Sequence, residues 1–197
     1  MNSPTLILAS TSAYRRALLE RLQLPFATIA PSVDEAALPG ELPARTALRL
    51  AELKAQAVVT AVRDALIIGS DQVAVLDGKR LGKPGGHAAA IAQLRAVRGR
   101  SVVFHTALCL LDAASGRKQV ENVPTTVFFR DFSEMQIERY LQAEQPYDCA
   151  GSAKIEGLGI ALVKRIESDD PSALIGLPLM TLTTMLKNEG IEVIPEQ

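Results

Sequence analysis

The chain opens strand–helix–strand and later doubles back through a tight turn, and this pair of patterns constrains the fold more than any other feature. Leu6-Ile7-Leu8-Ala9 is a short apolar run of buried-strand type. Ser10, Thr11 and Ser12 form a polar turn, and Ala13 to Leu22 carries Leu18, Leu19 and Leu22 at helical spacing. Phe26 to Ala30 is a second strand. Farther on, Val102 to Leu111 and Lys118 to Phe129 are long strand segments joined by the hairpin-like turn Ala113-Ala114-Ser115-Gly116. A helix-linked pair of strands beside a hairpin gives an α/β chain with a mixed sheet rather than a repeat of parallel units.

The remaining segments fit that frame. Pro39 to Pro43 is a loop, and Ala44 to Val62 predicts an amphipathic helix with Leu48, Ala51, Ala55 and Val58 on one stripe. Ala65 to Leu76 is the central strand, interrupted at Gly69-Ser70-Asp71, so that Asp71 falls at a strand end. After a turn at Gly85-Gly86, His87 to Val97 is an alanine-rich helix. Pro124 inside the Lys118–Phe129 run predicts an edge position or a bulge. Ser133 caps a helix to about Gln142, with Gln136 in capping-box position. Asp148 to Gly159 is irregular, Ile160 to Ile166 is a strand, Leu174 to Pro178 is a loop, and Leu179 to Lys187 is a last helix ended by Gly190.

Composition narrows the function classes. The 197 residues are 48% hydrophobic and carry a formal charge of −1, so a sizeable core forms and no global field draws the chain to nucleic acid or anionic lipid. Aromatic residues are few and tryptophan is absent, which argues against a stacking platform for single strands. No apolar run is long enough to span a bilayer, and none reads as a signal peptide. Cys109 and Cys149 lie far apart without metal-ligand spacing, as reduced core residues of a cytoplasmic protein do. Any anion site must therefore be local.

Five constellations offer chemistry. In Ser10-Thr11-Ser12-Ala13-Tyr14-Arg15-Arg16, a helix N-terminus carries hydroxyls and two arginines. Free N–H groups and guanidinium forks suit a phosphate; equally, Ser12 caps the helix while both arginines face water. Val33-Asp34-Glu35 offers a metal-binding carboxylate or simply opens a solvated loop. Lys54 lies on a helix, where lysine ordinarily meets solvent. Asp71, with Lys83 in the Gly82-Lys83-Pro84 turn, pairs a carboxylate for metal or water with a cation for phosphate. Lys154 and Glu156 stand among Gly151, Gly157 and Gly159, either beside a ligand or in a plain glycine-rich connection. His87 and His105 lack partners at metal or triad spacing.

Taken in order, these pieces resemble the Maf family of nucleotide pyrophosphatases. The resemblance is carried by Leu8-Ala9-Ser10-Thr11-Ser12 with Arg15-Arg16, Val33-Asp34-Glu35, Arg49-Leu50-Ala51 with Lys54-Ala55, Gly69-Ser70-Asp71-Gln72, Gly82-Lys83-Pro84, Ala150-Gly151-Ser152 with Glu156-Gly157, and Gly176-Leu177-Pro178. It covers nearly the whole chain. Ser70-Asp71-Gln72 and Glu156 resemble the subgroup that hydrolyses 7-methyl-GTP; the subgroup acting on dTTP and UTP typically has Ala-Asp-Thr and glutamine there. Ala13, Tyr14 and Leu53 stand where proline, tryptophan and glutamate are frequent.

The resemblance implies an inosine-triphosphatase-like α/β fold over residues 1–197, a single domain whose elongated mixed twisted sheet, flanked by helices, forms two lobes around a nucleotide cleft. It implies hydrolysis of a nucleoside triphosphate to the monophosphate and pyrophosphate with a divalent cation, magnesium or manganese. Asp71 corresponds to the proton acceptor, with Glu35 and Asp71 as metal positions. Ser12, Arg15, Lys54 and Lys83 correspond to phosphate positions, and Tyr14, Gln72 and Glu156 to specificity positions. The expected partner is a nucleoside triphosphate, with no nucleic acid and no membrane; a homodimer is left open. The alternatives are a dTTP/UTP or broad nucleotide pyrophosphatase, and a non-catalytic nucleotide-binding division regulator.

Overall fold

The computed structural model of the chain describes residues 5–62 and 64–195. In chain order the elements are β1 (Thr5–Ala9), α1 (Ala13–Glu20), β2 (Phe26–Ile29), α2 (Pro43–Gln56), β3 (Ala65–Leu76), β4 (Lys79–Leu81), α3 (His87–Val97), β5 (Ser101–Asp112), β6 (Lys118–Phe129), α4 (Glu134–Glu144), β7 (Val163–Ser168) and α5 (Leu179–Asn188). Short 3-10 turns occupy Val59–Ala61, Ala150–Ser152, Leu158–Leu162 and Pro171–Ile175. Six strands pair in the order β2-β1-β3-β5-β6-β7, and β4 pairs β3. β1 is parallel to β2 and β3, whereas β4 and β7 pair antiparallel. The expected α/β class with a mixed open sheet is therefore observed.

The chain divides into two compact units. The first holds the described residues of Met1–Gln72, Thr106–Val123 and Asp170–Gln197, and the second holds Val73–His105 and Pro124–Asp169.

In the first unit, strand alternation sorts residues by parity. Leu6, Leu8, Leu66, Ile68, Leu108 and Leu110 share a core with Leu18 and Leu19 of α1 and Leu182, Met185 and Leu186 of α5. The opposite face of β3 meets α2. Gly69 lies so close to that helix that a Cβ there would stand 2.1 Å from Ala51 O and 2.8 Å from Ala55 N. Glycine is required at this position by the approach of helix to strand. The carboxylate of Asp170 ties the far end of the unit together. Its Oδ1 accepts from Ser172 N and Oγ, and its Oδ2 from Met180 N and Thr181 N. The first turn of α5, whose N-cap is Pro178 without a capping side chain, is capped in this way from a distance.

In the second unit, α3 packs on α4 and on the 150–152 turn, and the 158–162 turn packs on α4. Ser133 and Gln136 form the expected capping box of α4. β7 pairs with Thr125–Phe129 of β6, with an irregularity between Phe128 and Phe129, and Arg165 stacks 4.0 Å over the Phe128 ring.

Three local expectations are corrected. β3 runs unbroken through Gly69-Ser70-Asp71, so Asp71 stands inside a strand, because Gly69 serves packing rather than a turn. α2 stops at Gln56, and the chain tightens into a 3-10 turn at Val59–Ala61, where adjacent β-branched residues weaken the helix. Leu158–Leu162 is a 3-10 turn, so β7 begins only at Val163. The edge expected at Pro124 is local: β6 lies between β5 and β7, but the β7 pairing ends at Thr125↔Ser168, one residue short of the proline.

Candidate functional site

The site is built on β3, whose consecutive polar residues Ser70, Asp71 and Gln72 point alternately to the two faces of the sheet. Asp71 shares the Gly69 face and meets α2. The stripe of α2 that buries Ala47, Leu50, Ala51 and Ala55 also contains Lys54, three residues on from Ala51. Lys54 is 5% exposed and Asp71 is 7% exposed. Lys54 Nζ donates to Asp71 Oδ1 at 2.6 Å and lies 2.8 Å from Glu35 Oε1. One ammonium thus gathers two carboxylates, one buried and one largely exposed. An ammonium has three N–H donors, so one remains beyond these two contacts. Oδ2 of Asp71 accepts no hydrogen bond from the described residues.

The other face of β3 grips the turn that precedes α5. Ser70 Oγ donates to Gly176 O at 2.9 Å. Gln72 Nε2 lies 3.0 Å from both Ala173 O and Leu174 O and 2.9 Å from Thr106 Oγ1, which itself donates to Ala173 O. Gly176, at φ +124, offers its carbonyl to a second donor: Arg15 Nε, at 2.8 Å. Arg15 is brought there by α1, whose cap Ser12 accepts from Arg15 N at 3.4 Å, while Ser10 Oγ accepts from Ser12 N. Burial pushes the Arg15 guanidinium below its ordinary value, and the charges of Asp71 and Glu35 act against that shift. Its neighbour Arg16 turns outward to Glu20 in an exposed ion pair. Arg15 is turned inward and Arg16 outward, so the expectation that both arginines face water holds for Arg16 alone.

Arg49 secures the Glu35 loop. Arg49 forms a two-pronged pair with Glu41, Nε to Oε1 at 2.7 Å and Nη2 to Oε2 at 2.8 Å, and Nη2 also donates to Ala36 O. Its signal was present in Arg49-Leu50-Ala51, but the partner eight residues upstream is set by the loop path.

Ser12, Arg15, Glu35, Lys54, Asp71 and Gln72 all fall in the first unit, with Tyr14 half-buried on α1. Lys83 and Glu156 belong to the second. There, Lys83 follows β4 in a loop held by Gln93 Nε2 on Gly82 O and by Gly85 N on Tyr147 O. Glu156 lies in a segment fastened by Glu144, which accepts from Lys154 Nζ and Leu158 N at 2.7 Å. A Cβ at Gly157 would come within 2.6 Å of the Glu144 carboxylate, so this glycine serves that fastening. His87 joins Tyr147 and Glu138, at 3.0 and 3.1 Å. Cys109 and Cys149 are free thiols, and burial pushes Cys109 up to about 12.

Glu35 and Asp71 bring carboxylate oxygens to the same ammonium, and hard oxygens of this kind are the donors that magnesium or manganese takes. Among the described residues no group of three or more His, Cys, Asp or Glu side chains is placed to hold a metal ion.

The chain is similar to known proteins over nearly its whole length. The model of Maf-like proteins matches residues 5–189. A Thiobacillus denitrificans protein named 7-methyl-GTP pyrophosphatase is 62% identical over 192 residues, covering 98% of this chain and 96% of its own. Proteins of the same name from Ralstonia nicotianae and Methylobacillus flagellatus are 60% and 59% identical, covering 94% and 97% of this chain and 95% and 100% of theirs. With the family pattern running from β1 into the last turn of α5 and past its end, the chain is a member of the Maf family.

Proposed function

We propose that this protein hydrolyses 7-methyl-GTP to 7-methyl-GMP and pyrophosphate. The observation that carries the reading is the near-full-length identity to proteins of that name. The buried Lys54–Asp71 pair and the neighbouring Glu35 and Arg15 give it a chemical basis. Water attacks the α-phosphorus, the bond from that phosphorus to the α,β-bridging oxygen breaks, and pyrophosphate leaves with the oxygen. Asp71, held through Oδ1, uses Oδ2 to orient the water and take its proton. Lys54 keeps its remaining N–H for a phosphate oxygen, and the fork of Arg15, anchored through Nε, offers its terminal nitrogens to another. Were a divalent ion held beside Glu35 and Asp71, it would supply Lewis-acid neutralisation of phosphate charge.

Lys83 and Glu156 enter on the strength of the family resemblance, as a phosphate cation and as the group that selects the base. N7-methylation makes guanine cationic, so an acidic side chain favours it over neutral bases, and Tyr14 offers a π face. Gln72 has most of its amide committed to the 173–174 carbonyls, which supports a framework role over direct base reading. A cytoplasmic setting belongs to the same proposal and is supported by the two free thiols. None of the described helices is long and apolar enough to cross a membrane.

A panel of 7-methyl-GTP, GTP, dTTP and UTP, with magnesium or manganese and with chelator, tests the proposal by pyrophosphate release. Metal-dependent release with 7-methyl-GTP preferred is the expected result. Preference for dTTP or UTP overturns the assignment of substrate, and tight binding without release overturns catalysis.

A further inference from the structure

Gln93 bonds both loops that the proposed function draws from the second unit. It lies half-buried on α3. Its Nε2 donates to Gly82 O at 2.9 Å, one residue before Lys83. Its Oε1 accepts from Ser152 Oγ at 2.7 Å. Ser152 is fully buried, sits in the left-handed region at φ +57 and leads into the segment carrying Glu156. The amide cannot be reversed at equal energy, because its oxygen would then face the Gly82 carbonyl oxygen.

Each loop has a second fastening farther on. Gly85 N donates to Tyr147 O, and Lys154 N donates to Tyr140 Oη. These fix the far sides of the loops, and at the near side the Gln93 amide hydrogen-bonds to both, beside the packing of Leu81 near Gly151.

We propose that Gln93 is a positioning residue that couples the Lys83 loop to the Glu156 loop, so that phosphate capture and base selection are set together. The inference rests on the roles that the proposed function gives to Lys83 and Glu156. Gln93 touches neither substrate nor reacting atoms; it acts through two backbone segments.

Three variants of the full chain separate the two arms. Gln93→Ala removes both bonds and suits a helix. Gln93→Glu keeps an acceptor for Ser152 but loses the donor to Gly82. Ser152→Ala removes only the other arm. Amide hydrogen exchange of the ligand-free protein is read alongside KM and the ratio of kcat/KM for 7-methyl-GTP over GTP. Gln93→Ala should quicken exchange in both 81–86 and 150–159 by roughly three- to tenfold, the factor of a lost hydrogen bond, with KM raised and the ratio lowered. Gln93→Glu should quicken 81–86 alone and raise KM at an unchanged ratio. Ser152→Ala should quicken 150–159 alone and lower the ratio at near-constant KM. Unchanged exchange in Gln93→Ala, or the same uniform loosening in all three variants, overturns the coupling. Should the wild type release no pyrophosphate, the proposed function fails while the exchange pattern still decides whether Gln93 couples the loops.

Discussion

Lys54 Nζ stands 2.6 Å from Asp71 Oδ1, with both side chains nearly closed to solvent. This ammonium lies on the face of α2 that otherwise buries alanine and leucine. Two desolvated charges are stable only as a pair. The arrangement therefore joins stability to the proposed chemistry at one contact.

Asp71→Asn keeps the shape of the side chain and removes the base. Turnover should fall by roughly two to four decades with little change in KM, as expected when a general base is lost. Steady-state pyrophosphate release checks this, and near-normal turnover would rule out the role.

Lys54→Met leaves a buried carboxylate without its cation. Breaking one side of such a pair costs about 3–5 kcal/mol. Denaturant melts of Lys54→Met, Asp71→Asn and the double variant should show the double variant recovering part of the loss, because the two sites are directly coupled.

Gly69→Ala forces a methyl group against the backbone of α2, where Ala51 O would lie at 2.1 Å. Helix and strand must part. The loss should be about 1–3 kcal/mol or more, accompanied by reduced turnover because Lys54 moves with the helix. A thermal melt and a kcat measurement on the same preparation test both consequences.

Glu156→Gln should weaken preference for 7-methyl-GTP while leaving hydrolysis of GTP largely intact. The neutral amide no longer distinguishes a cationic base by charge. Competition kinetics of 7-methyl-GTP against GTP and UTP measures the ratio, and an unchanged ratio would remove Glu156 from base selection.

The two-pronged pair with Arg49 holds Glu41 down from 4.5 to about 2. A carboxyl group depressed in the folded state adds stability above its unfolded value and loses it as pH falls through the folded value. The stabilisation should therefore be complete above about 4.5 and disappear toward about 2. Melting temperatures of wild type and Glu41→Gln, followed down in pH, should converge across that window. A constant gap would show that the pair is not its source.

Much of this molecule is legible in its sequence because local patterns and tertiary demands agree. Ser12 as a cap, the Ser133–Gln136 box and Gly190 after the last helix are local rules that packing leaves alone. Legibility fails where distant chain closes on a residue. Gly69 looks like a strand breaker until α2 arrives on top of it. Lys54 reads as a solvent-facing lysine, although the spacing that names Ala51 and Ala55 also names position 54 as buried. Its acceptors, 17 residues later in Asp71 and far earlier in Glu35, are known only once the sheet forms. The double duty of the Gly176 carbonyl, serving Arg15 and Ser70 together, has no sequence signature at all.

The pleat of β3 has a consequence for where a substitution is felt. Ser70 and Gln72 project to one side and Asp71 to the other, so the hydrogen bonds that clamp the 173–176 turn and the pair with Lys54 are made on separate faces. An exchange at 70 or 72 is therefore felt first in the 173–176 turn and, through the Gly176 carbonyl, at Arg15, while the Lys54 contact of Asp71 stands on the other side.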